Sequence, residues 1–174
     1  MTHRKAGRAT RNALALALAL TALHPGAQAQ SLFGRDHDPI DAVLPDPMPR
    51  VPAPQDTLAF QGSATTTNRF AVDPASLAID GESVVRFTLI VTSSSGVRNV
   101  SYEAFRCYSG EQQLLAIARA DGTWSVLRKP QWRPLERDDT RNSQYRALYS
   151  RLCAGGAAAA QKPEQLADRI RSAP

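Results

Sequence analysis

Histidine is scarce and poorly placed for catalysis: His3 and His24 fall in the first 29 residues and His37 in a proline-rich stretch, so residues 56–153 hold none. Nucleophilic cysteine or serine chemistry ordinarily needs a histidine as base. A Cys/His or Ser/His/Asp site is therefore excluded from that region unless the proline-rich stretch folds back over it. Only two cysteines are present, too few to complete a tetrahedral zinc site without histidine, so no metal and no cofactor is expected. Long apolar runs are missing too. The longest, residues 13–23, is far below the roughly 20 residues of a membrane-spanning helix, which argues against a span. There is no glycine loop of the phosphate-cradling kind and no internal repeat.

Acidic residues are absent from the first 29 positions, which instead carry Arg4, Lys5, Arg8 and Arg11, then the apolar run, then Ala27, Gln28 and Ala29. That order of charge, apolar run and small residues is a secretory signal peptide, residues 1–29, cleaved between Ala29 and Gln30. No cysteine stands near the cleavage point to take a lipid, so the expected product is soluble, exported and periplasmic. Removing the leader leaves 17 basic against 16 acidic side chains, a net charge of +1 where the whole chain has +5. The sequence pI of about 9.7 is thus largely a property of the leader, and no nucleic-acid partner is expected.

Residues 30–55 contain Pro39, Pro45, Pro47, Pro49, Pro52 and Pro54 and read as an extended arm or tether. "PMPRVP" within it has the composition of a proline-rich ligand for a partner domain. Residues 56–153 have the patterning of one modest α+β domain. "TLAF" and "TTTNRFAV" are short β-rich runs, and "DPASLAIDG" reads as a turn-forming interruption. Residues 83–92, 97–107, 111–118 and 123–127 follow as strands separated by short glycine-containing turns. This predicts an antiparallel meander of about five to six strands, with one face packed and the other wetter. Val85, Phe87, Leu89 and Val91 share one face of their strand, as do Val100, Tyr102, Ala104 and, at its edge, Arg106. Tyr145, Leu148, Tyr149 and Leu152 recur at helical spacing, an amphipathic helix to cover the sheet, with Asp138, Asp139 and Thr140 placed to cap it. Residues 154–174 read as a Gly/Ala linker and a short helix that starts at Pro163.

Cys107 closes a central strand and Cys153 closes the amphipathic helix. An even pair in an exported chain favours a disulfide between them. Trp124 and Trp132, with Arg128, Lys129 and Arg133 between and beside them, form a candidate binding patch for a sugar, another flat ligand or an anionic polymer. An enzymatic alternative rests on carboxylates, either Glu103 or the pair Asp138 and Asp139. Glu103 sits in ordinary strand alternation, however, and the aspartates are explained as capping.

The stretches "FAVDPASLAIDGESVVRFTLIVTSSSGVRNVSYEAFRCYSGE", "ARADGTWSVLRKPQWRPL" and "ALYSRLC" resemble the cryptic-neisserial-protein-like (CNP-one-like) family of exported bacterial proteins. The resemblance runs from "LPDPMPRVPAPQDTLAF" through Cys153, and a recurring cysteine pair in such proteins maps onto Cys107 and Cys153. "RFAVDPASLAIDGESVVRFTL" is also similar, over a shorter stretch, to surface-adhesin-E-like domains. The resemblance implies an exported, disulfide-bonded, β-rich domain and no established reaction, cofactor or catalytic residue. The functional expectation is a non-enzymatic periplasmic or envelope-associated domain that binds a protein or an envelope polymer. The alternative is a small-ligand or glycan-binding protein that uses the Trp124 and Trp132 region.

Overall fold

The structure, a computed structural model, describes residues 42–62, 66–81, 83–136 and 142–172. The leader with Ala29 and Gln30, His37, and Asp138, Asp139 and Thr140, expected to cap the helix, lie outside these.

The period-2 apolar patterns become a seven-stranded antiparallel sheet. Its strands are β1 (Leu58–Phe60), β2 (Arg69–Asp80), β3 (Val84–Thr92), β4 (Arg98–Arg106), β5 (Glu111–Ala118), β6 (Trp124–Val126) and β7 (Trp132–Pro134). The first six pair in sequence order, and β7 pairs with the start of β5. Among the described residues the α-helices are α1 (Ser143–Leu152) and α2 (Pro163–Ser172), so the class is α+β, as the patterning predicts.

The β3–β4 register pairs Val85 with Phe105, Phe87 with Glu103, and Thr88 with Tyr102. The two apolar sets read from these strands therefore lie on opposite faces of the sheet. On the first face Val85, Phe87, Leu89 and Phe105 pack with Leu148 and Leu152 of α1 and with Leu166 and Ile170 of α2. On the second, Val84, Tyr102, Ala104, Leu115 and Ala116 form a smaller cluster that Ala42, Leu44 and Met48 of the proline-rich arm cover, together with Trp124 and Trp132. The second face is thus covered as well, and residues 42–53 lie along it.

Three local expectations are corrected. Residues 73–81 are not a turn between strands: β2 runs through them, and its register slips between Asp73 and Ala78. Pro74 has no N–H for the ladder, and Asp73 accepts a hydrogen bond from the Ala75 N–H at 2.9 Å. Ser76 bridges the slip, donating to the Asp73 carbonyl and accepting from the Thr88 N–H, both at 2.8 Å. Trp132 lies in a further strand, β7, beyond the last strand expected at residues 123–127. The Gly/Ala stretch is not a bare linker, because β8 (Cys153–Ala154) and β9 (Ala157–Ala158) form a two-stranded hairpin. Gly155 and Gly156, at φ of 59° and 83°, make its turn, a conformation that suits glycine.

Candidate functional site

The disulfide joins Cys107, directly after β4, to Cys153, directly after α1, with Cα atoms 5.4 Å apart. Tyr149 adds a hydrogen bond from its hydroxyl to the Cys107 carbonyl. These links hold the C-terminal end of α1 against the sheet.

A cleft of about 650 Å³ is lined by residues of β5, β7 and the N-terminal part of α1. Leu114, Leu127 and Leu135 supply its apolar lining, and Gln112 and Tyr145 present polar groups. Among the described residues, Lys129, Arg133 and Arg146 bring three cations to it and Glu136 one acid. Lys129, Arg133 and Glu136 are all exposed, as their charges require.

Beneath the cleft lies Glu103, 1% exposed. Its β4 position turns the side chain toward the helix-covered face, beside Phe105. One carboxyl oxygen accepts from the Ser101 hydroxyl at 2.5 Å and from the Tyr145 hydroxyl at 3.2 Å. The other accepts from the Gln112 side-chain amide at 2.7 Å. Burial raises the Glu103 carboxyl above the ordinary carboxylate range, and the three donors only partly offset that. Burial, followed by the adjoining Glu103 charge, likewise raises the Tyr145 hydroxyl. Glu103 therefore ties β4, β5 and α1 together under the cleft and has no open path to a substrate in this conformation.

A carboxyl whose folded pKa is raised stabilises the fold below the unfolded pKa, and that contribution is lost as pH rises through the folded value. Glu103→Gln keeps the shape, and rotation of the Gln112 amide can supply the needed donor or acceptor. Wild type should lose up to about 1.4 kcal/mol per pH unit relative to Glu103→Gln above pH ~4.5, until the folded pKa is passed. Asp73, also raised by burial, contributes with the same sign but equally in both chains. Urea unfolding of the two proteins at stepped pH measures the difference. Parallel stability curves would show that Glu103 does not titrate differently on folding.

The five residues of the candidate patch are divided by the sheet. Lys129 and Arg133 line the cleft. Trp124 and Trp132 pack on the opposite, arm-covered face. The Trp124 ring meets Tyr102 edge-on at 6.1 Å, and its indole N–H donates to the Pro49 carbonyl at 2.7 Å. The Arg106 guanidinium lies 4.0 Å from the centre of the Trp132 ring. Arg128 is exposed in the strand connection. Sequence reasoning missed Gln112, Tyr145 and Arg146 as cleft residues. The available signal was Glu103, an acid at an inward-facing strand position two residues from Phe105.

A seven-stranded antiparallel meander with two helices on one face and a helix-to-sheet disulfide defines a small, covalently stapled α+β domain. Among the described residues no helix is long and apolar enough to cross a membrane. The chain belongs to the CNP1-like family, whose match covers residues 43–171, in agreement with the resemblance seen in the strand and cysteine motifs. No curated protein and no solved structure matches the chain significantly.

Proposed function

We propose that this chain is an exported, periplasmic or envelope-associated domain that acts by binding a protein or envelope polymer rather than by catalysis, and that the cleft between β5, β7 and α1 receives an acidic group of that partner. The observation that carries this reading is the placement, among the described residues, of Lys129, Arg133 and Arg146 around a cleft with an apolar lining and Glu136. Such a site attracts an anion through the three charges and holds its apolar portion against Leu114, Leu127 and Leu135. The leader-like first 29 residues support export, as does a disulfide, which persists in oxidising compartments.

The test compares wild type with Lys129→Glu/Arg133→Glu/Arg146→Glu in capturing crosslinked partners from an envelope extract at low and high salt. Exposed charges contribute little to folding, so the variant should melt close to wild type. Its capture of the wild-type partner should fall at least tenfold, and added salt should weaken the wild-type interaction. Equal retention by both proteins would rule out the cleft, and empty captures from both would rule out the binding role. Protein recovered from the periplasm should have the intact mass of a chain starting at Gln30 with no free thiol.

A further inference from the structure

The proline-rich arm is held on the second face of the sheet in the way that proline-rich ligands are held by their recognition domains. Trp124 donates its indole N–H to the Pro49 carbonyl at 2.7 Å, and Arg98 donates to the Pro52 carbonyl at 2.6 Å. The two acceptors are three residues apart, which matches the three-residue turn of a polyproline II helix, and both accept from side chains of the sheet. Ala53, next in the chain, has φ −74° and ψ 157°, within that conformation. Upstream, Leu44 and Met48 rest on the cluster of Tyr102, Ala104, Leu115 and Ala116. Aromatic rings that flank a preformed extended segment, with an indole N–H reading its backbone, are the physical basis of proline-rich peptide recognition. The contacts to Pro49 and Pro52 are made to main-chain carbonyls, so they do not depend on the segment being joined to this domain.

We propose that this face is a recognition groove for proline-rich extended segments, filled in cis by residues 42–53 and available in trans to a segment of a partner protein with the same Pro-x-x-Pro spacing. The groove lies on the face opposite the cleft, and the inference stands independently of the cleft's ligand. The arm leads through the short 3-10 turn Pro54–Asp56 into β1, so it is presented to its groove at a local concentration on the order of millimolar. A partner segment therefore competes poorly until the arm is released.

The experiment uses the full oxidised chain and a fluorescein-labelled peptide with the sequence of residues 44–55, read by anisotropy. Leu44→Asp/Met48→Asp places charges against the apolar cluster and should free the arm, seen as a red shift of tryptophan emission. The peptide should bind this variant at least about tenfold more tightly than wild type. Adding Trp124→Phe, which keeps an aromatic ring beside Tyr102 but removes the donor, should abolish that gain while circular dichroism stays unchanged. An arm-freed chain that fails to bind the peptide would overturn the proposal, as would unchanged emission after Leu44→Asp/Met48→Asp. Concentration-dependent dimerisation of wild type without peptide binding to the arm-freed chain would overturn it in favour of a second copy as occupant.

Discussion

Replacing both cysteines, Cys107→Ala/Cys153→Ala, is expected to lower the stability of the oxidised chain by about 4 kcal/mol. The bridge spans a sequence separation of 46 residues, and the chain-entropy cost of closing a loop of that length in the unfolded state gives this figure. The Cα–Cα distance of 5.4 Å lies in the usual range for disulfides, so the native backbone accepts the link. Both cysteines are buried, and alanine avoids placing two hydroxyls in the core that serine would introduce. For a domain of this size such a loss is a large fraction of a total stability of roughly 5–15 kcal/mol. Urea denaturation with and without reductant checks it. Reductant should destabilise wild type by a similar amount and leave the variant unaffected. A variant within about 1 kcal/mol of oxidised wild type would show that the contacts of α1 alone fix the helix.

What could be read from the sequence follows from how local each signal is. Strands β3 and β4 carry apolar residues at alternate positions, β5 follows them, and the three are joined by short glycine turns, so their order needs no long-range information. The cysteine pair was legible because the other chemistry of cysteine needs histidine that residues 56–153 lack. Strand β2 is interrupted in the sequence pattern because Asp73-Pro74 is a turn signal, and a bulge uses the same residue types inside a strand. Strand β7 is three residues long, with a proline at its end, and exists only because Glu111, Gln112 and Gln113 offer an edge to pair with. Trp124 and Trp132 are near neighbours in sequence to Lys129 and Arg133 but on the other face of the sheet, which only the strand geometry decides. The cleft takes Gln112 from β5, Arg133 from β7 and Tyr145 from α1, segments with no shared local pattern. Residues 30–55 read only as an extended arm or tether because proline-rich composition reveals conformation and says nothing of the face that receives it.

Leu166→Ala is expected to cost about 2–5 kcal/mol, although Leu166 lies in a C-terminal helix that the sequence marks only as short. Leu166 has no exposed surface, and with Ile170 and Ala167 it belongs to the same core cluster as Phe60, Phe70, Val85 and Phe105. Helix α2 packs against β1, β2 and α1 together. Removing the leucine side chain therefore opens a cavity between three elements that cannot all close on it. The strand β1, three residues long, has little ladder of its own and depends on this packing through Phe60. Arg171→Ala serves as the control, since its pair with Asp168 is exposed and should contribute less than 1 kcal/mol. Thermal unfolding of both variants with the disulfide intact separates them: a fall of several degrees for Leu166→Ala and almost none for Arg171→Ala places α2 within the cooperative core. Equal melting of both would mean that α2 frays independently, leaving the sheet and α1 as the folding unit.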